Sequence, residues 1–265
     1  MSHPTDPSLP GFDARRFKAM ERAGFNRIAA RYAEGAHLRA DLAAALLDAA
    51  ALAPGGTVLA TDIAEGMLAE GARRCGEHAD TPCFGAADAE HLCIADASMD
   101  RVLAGLALFI FPHPERALAE IQRVLVPGGR IALSVWGARE SVPLIHRAQD
   151  TIARLLPPPK VVRPSVFRYG DPDLLAATLA AAGFDDIDIR PCDFACHFSD
   201  AETYWQAFLD LAGGAAEALG RLPEATQAAL RAAVTEDLAA HCCDDGRSGY
   251  LVPALTLVAS ARRPG

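Results

Sequence analysis

The stretch "LAPGGTVLATDIAEGML" (residues 52–68) reads as a turn, a short apolar strand, an acidic residue at the strand's end and the start of a helix. In an open α/β sheet, ligands gather beyond the carboxyl ends of the strands, which is where Asp62 falls. A nucleotide-type strand usually follows a glycine-rich turn, yet no G-x-G-x-G occurs anywhere in the chain.

The same alternation runs on both sides of this stretch. Upstream, residues 14–33 read as one or two amphipathic helices and residues 38–52 as another, with Leu38, Leu42, Leu46 and Leu47 on one face. Downstream, residues 65–75 form a helix, 82–88 a strand, and 99–109 ("MDRVLAGLALF") a nearly continuous apolar strand of the kind buried inside a parallel sheet. Residues 114–125 form a helix that opens on Pro114 and buries Ala117, Leu118, Ile121, Val124 and Leu125. The turn "PGG" stops it before the strand 130–137. Strand–helix alternation of this kind predicts an α/β fold with a mostly parallel sheet flanked by helices. Beyond residue 137 the pattern loosens into a helix and proline-rich loop (138–165), a helix with Asp171 as N-cap (171–183), a strand (184–198), a helical stretch (201–243) and a last strand (250–263).

The totals narrow the function. A chain of 265 residues, 51% hydrophobic, suits one large domain with a substantial core. A formal charge of −9 with no basic run argues against nucleic-acid partners. No apolar run reaches the roughly 18–20 residues of a membrane span, and the N-terminus lacks a signal pattern, so the expected location is cytoplasmic. The seven scattered cysteines contain no C-x-x-C pair and read as reduced thiols; no metal site is expected.

Taken together, "GGTVLATDIAEGML" (55–68), "GAADAEHL" (85–92), residues 98–137 and "DPDLLAATLAAAGFDDIDI" (171–189) resemble the class I S-adenosylmethionine-dependent methyltransferases, specifically the ubiquinone/menaquinone-biosynthesis C-methyltransferases. The resemblance implies a Rossmann-like methyltransferase domain spanning 1–265. Its parts would be N-terminal helices (1–53), a cofactor-side sheet (54–137), helical lid insertions (138–168 and 201–245), and a C-terminal helix and strands (171–200 and 246–265). It also implies S-adenosylmethionine as cofactor and a small, largely apolar molecule as methyl acceptor. Carried over by position, Asp62 would accept hydrogen bonds from the ribose hydroxyls, with Ile63 and Met67 along the adenosine edge. Asp88 would accept from the adenine amino group, Ala89 would offer a backbone amide, and Gly105 and Leu106 would border the methionine part. Each has a plainer reading: Asp62 as a helix cap, Asp88 as a turn residue, Met67 as core.

One departure stands out. In the family, a strand, a glycine-rich turn and a helix lie between the helix 38–52 and the Asp62 strand; here Leu52 runs straight into "APGGTVLATD". A βα unit of roughly 25–30 residues is missing, and with it a central strand. The simplest repair is direct pairing of strands 57–62 and 99–109. The missing turn also removes backbone donors and predicts impaired cofactor binding, which raises a second reading: a non-catalytic methyltransferase-fold protein that binds a ligand or a partner subunit. A dinucleotide-dependent dehydrogenase fits less well, for want of the glycine fingerprint. No catalytic residue is singled out. His113 and His146 are the histidines placed to serve as bases, and Trp136, Tyr204 and Trp205 the aromatics placed to line an acceptor pocket or to pack in the core.

Overall fold

A computed structural model describes residues 12–52, 58–75, 82–159, 162–243 and 248–265. The N-terminal lead-in up to residue 11, the "APGG" turn with Thr57, and part of the proline-rich loop lie outside the described residues.

Helix α1 (Ala14–Glu34) starts where the Asp13 carboxylate accepts the Arg16 N–H at 2.9 Å, and buries Phe17, Glu21, Gly24 and Ile28, spaced for one face. A 3₁₀ turn (Gly35–Arg39) leads into α2 (Ala40–Ala50). Then β1 (Leu59–Asp62), α3 (Glu65–Cys75) and β2 (Cys83–Ala86) form a unit in which β1 and β2 pair in parallel, Asp62 opposite Ala86. Next come β3 (Met99–Gly105), α4 (Pro114–Val124) and β4 (Leu125–Trp136). Helix α5 (Pro143–Leu155) and helix α6 (Pro172–Ala181) precede β5 (Asp185–Phe198); Asp171 caps α6 through the Asp173 N–H at 2.9 Å. Helices α7 (Ala201–Leu211) and α9 (Glu224–Asp237) pack with α5, α8 (Gly214–Gly220) packs on α1 and α7, and β6 (Tyr250–Arg262) follows.

The sheet is split. Among the described residues β1 and β2 form one two-stranded sheet, and β3-β4-β6-β5 a second, with β3 and β4 parallel and β6 antiparallel to both of its neighbours. The expected pairing of strands 57–62 and 99–109 therefore does not form. It is α2, not β1, whose C-terminus abuts β3: Arg101 Nε donates to the Ala50 carbonyl at 3.0 Å, and α2 lies against the four-stranded sheet. The connection consequently leaves α2 beside β3, while β1 is held by β2 and α3, and α3 in turn by α1. Each of β1 and β3 has one edge without a strand partner among the described residues; Leu59 in β1, Leu103 in β3 and the nearby Leu47, Leu52 and Val58 are exposed.

Two other expectations need correction. The apolar run 99–109 is strand only to Gly105; Leu106 turns back at φ +49°, and Leu108–Ile110 is a 3₁₀ turn whose Leu108 and Phe109 enter the core. Its hydrophobicity reflects burial in two different conformations, which periodicity does not separate. The "PGG" turn does not precede β4 but bulges within it: β3 steps from Met99 to Arg101 while β4 steps from Leu125 to Arg130. Gly128 takes φ +77° there, a conformation suited to glycine. From Ile131 to Trp136 every residue of β4 is buried, the core about which the second sheet is built.

Candidate functional site

The carboxyl ends of β1 and β2 lie side by side, followed by Ile63 and by the turn Asp88–His91. Together with the N-terminal half of α1 and the start of α4 they enclose a cleft of about 380 Å³, lined among others by Arg15, Lys18, Ile63, Asp88, His113 and Arg116. The fold thus brings Ile63 and Asp88 together at a place where parallel sheets bind ligands.

Asp62 is half-buried. Its Oδ1 accepts the Ala64 N–H at 2.7 Å, and burial, outweighing the Ala64 and Ile63 N–H groups, pushes its carboxyl above the usual range. Oδ1 thereby holds the turn that leads into α3. Met67 sits in the first turn of α3, partly buried, its N–H bonded to the Ala64 carbonyl. Asp88 is engaged on both oxygens: Oδ1 accepts the Glu90 N–H at 3.0 Å, and Oδ2 lies 2.7 Å from Lys18 Nζ. Lys18 also meets Glu90 Oε2 at 2.7 Å, and Glu90 is only 3% exposed. Ala89, between the two acids, is partly buried.

Gly105 and Leu106 belong to the other sheet. A Cβ built on Gly105 would lie 3.3 Å from Leu46 Cδ2, so α2 covers this strand end. The Leu106 N–H is taken by the Ser134 carbonyl and hydroxyl at 3.0 and 3.1 Å.

His113 precedes α4; its N–H donates to Glu90 Oε1 at 2.9 Å, and its Nδ1 lies 3.6 Å from Glu115. His146 Nδ1 is 3.0 Å from Asp150, which also pairs with Arg139. The three aromatics are core: Trp136, Tyr204 and Trp205 are all buried. Cys196 is likewise buried, its thiol donating toward the Leu38 carbonyl at 3.5 Å and pushed up to about 11 by desolvation. A second cavity of about 370 Å³ lies farther along α1, where Arg39 stacks on Tyr32 at 4.3 Å and Arg31 meets Asp210 at 3.1 Å. Lys18 and Arg31 are 13 residues apart on α1, or about 20 Å at 1.5 Å per residue, so one small ligand does not span both cavities.

Sequence reading passed over Lys18, Glu90, Arg15 and Arg116. The available signal was the basic stripe Arg15–Lys18–Arg22, spaced for one helix face.

Comparison with known proteins agrees with this geometry. Residues 42–133 match the family described as a methyltransferase domain. The chain is 34% identical over 154 residues to a demethylmenaquinone methyltransferase of Clavibacter sepedonicus, covering 54% of this chain and 62% of the relative. It is 33% identical over 156 residues to a ubiquinone/menaquinone biosynthesis C-methyltransferase UbiE of Acidiphilium cryptum (strain JF-5), covering 52% and 61%. The chain thus spans about three-fifths of the length of these curated relatives. Among solved structures, a SAM-dependent methyltransferase of Thermotoga maritima superposes with a TM-score of 0.51 at 14% identity, covering 92% of this chain and 99% of that one. A methyltransferase candidate from Bacillus halodurans C-125 gives 0.54 at 19% identity, covering 85% and 100%. At such identities the structural likeness carries the fold alone. Among the described residues no helix is long and apolar enough to cross a membrane. Residues 42–133 thus match a methyltransferase domain on a Rossmann-like frame, and about half of the chain is similar in sequence to quinone-biosynthesis C-methyltransferases.

Proposed function

We propose that the chain is an S-adenosylmethionine-dependent methyltransferase for a small, largely apolar acceptor, with weakened hold on its cofactor. One observation carries the reading: Asp62 and Asp88 stand at the carboxyl ends of two adjacent parallel strands, each half-buried. Two carboxylates so placed suit a ribose diol and an adenine amino group, each through lone pairs beyond those already engaged. Ile63, which lines the cleft, would give the adenine an apolar edge. The adenosine half of the cofactor therefore fits the residues present.

The methionine half fits less well. Gly105 and Leu106 sit on the separate sheet, Leu46 presses on the first, and the second has spent its N–H. When bound, the cofactor supplies the transferable methyl group; the protein's task is to align the acceptor and exclude water. We assign that covering role to the helical insertions around α5 and α7–α9, within a single domain, acting on the small, largely apolar acceptor in the cytoplasm. Loss of two hydrogen bonds to charged groups, at about 1.5–3 kcal/mol each, weakens binding by roughly a hundred-fold or more.

A second reading, ligand or partner binding without catalysis, is favoured by the Lys18–Asp88 ion pair and by the open edges of β1 and β3. Titration with S-adenosylhomocysteine separates the two. On the first reading the wild type binds with an affinity weaker than low micromolar, and Asp62→Ala weakens it by a further factor of ten or more. A variant with a lower melting point but unchanged affinity leaves Asp62 as a cap only and favours the second reading.

A further inference from the structure

The cleft carries a charge that adenosine recognition does not use. Around its rim stand Arg15, Lys18 and Arg22 of α1 and Arg116 of α4, four cations, against two carboxylates, Asp88 and Glu90. This excess lies on a chain whose formal charge is −9. Both carboxylates share the one Lys18 ammonium, at 2.7 Å from each, and Arg22 is clasped by Glu65 just outside the cleft. The guanidinium groups of Arg15 and Arg116 are exposed and form no ion pair or hydrogen bond with any described residue. They approach the same space from different elements, one from the first turn of α1 and one from the first turn of α4. The N-terminus of α4, capped at His113 without a side-chain acceptor, adds positive potential on the same side.

From this we infer that the cleft binds a small phosphate-bearing molecule, its phosphate held between Arg15 and Arg116. Two guanidinium forks match the oxygens of a phosphate in number and geometry. The apolar side formed by Ala14, Ala19 and Ile63 leaves room for an organic body, and about 380 Å³ accommodates one of modest size. The inference stands apart from methyl transfer, since it needs neither Asp62 nor a sulfonium. A cationic rim also disfavours a positively charged cofactor relative to an anion.

The test is calorimetric titration of the full chain with inorganic pyrophosphate at low and at near-physiological salt. We expect saturable binding at one site, weakened at least tenfold in Arg15→Ala and in Arg116→Ala, and unchanged in Arg73→Ala, whose guanidinium is paired with Glu70 on α3. Both site residues are exposed, so the variants should keep the wild-type melting point, which circular dichroism verifies. Citrate, with carboxylates in place of phosphates, should bind at least tenfold more weakly. Absence of saturable pyrophosphate binding, equal binding by the Arg15 and Arg116 variants, or equal binding of citrate each overturns the assignment. Because S-adenosylhomocysteine is titrated separately, failure here leaves the adenosine reading standing, and the reverse.

Discussion

Lys18 Nζ lies 2.7 Å from Glu90 Oε2, and Glu90 is almost wholly buried. Its other oxygen accepts the His113 N–H, so this one carboxylate joins α1, the turn after β2 and the start of α4. Removing the cation leaves a buried charge without its counter-ion. Lys18→Met should cost about 3 kcal/mol of stability, and adding Glu90→Gln should return more than half of it. Urea unfolding of both variants checks this; a loss below about 1 kcal/mol in the single variant would show the pair to be solvated.

Glu65 of α3 accepts from Arg22 Nε at 3.0 Å, and this guanidinium contact brings its carboxyl down to about 2 from the ordinary 4.5. The folded value lies below the unfolded one. The contact therefore stabilises fully above about 4.5 and is lost as pH falls toward 2. Arg22→Gln should return Glu65 to an ordinary carboxylate titration and move acid unfolding to higher pH. Side-chain carboxyl chemical shifts followed through the titration report it directly.

Tyr204 is fully buried, with its hydroxyl donating to the Leu144 carbonyl at 3.1 Å and accepting the Ala148 N–H at 3.2 Å. Burial raises its phenol well above the ordinary value, so it stays neutral throughout the accessible pH range. Tyr204→Phe removes both contacts to the Leu144–Ala148 turn of α5 and should lower stability by about 1 kcal/mol, read from thermal melts. An unchanged melting temperature would mean that water takes the hydroxyl's place.

Leu103 points outward from β3, whose outer edge has no strand partner among the described residues. Leu103→Lys places a charge where natural edge strands carry one. The expected outcome is less light scattering at high concentration with a melting temperature unchanged within error. A marked loss of stability would mean that Leu103 is covered in solution.

The sequence was informative where helical spacing and punctuation agreed. The Pro114 start of α4, the Asp171 cap of α6 and the faces of α1 and α4 were all legible, because capping and periodicity are local. The alternation around Asp62 revealed the fold family, and the missing glycine turn revealed that a strand was absent. How the sheet responds to that absence was not legible. It depends on α2 reaching β3 before β1 does, a tertiary competition with no sequence period. The cleft was half legible: Ile63 and Asp88 follow from their strands, whereas the partnership of Lys18 with Asp88 links residues 70 apart in the chain.

With β1 and β2 paired, among the described residues, only with each other, helix α1 becomes the brace between two sheets. Its Lys18, Arg22 and Asn26 grip the smaller one, and its Glu21 pairs with Arg163 beyond the larger. Cooperativity between the two halves then travels through side chains rather than through a shared backbone ladder. Amide-hydrogen exchange should accordingly resolve two protection classes, with residues 59–62 and 83–86 opening earlier than residues 131–136. A cleft floored by the more readily opened unit inherits its breathing, so ligand binding and local unfolding at this edge are two faces of a single equilibrium.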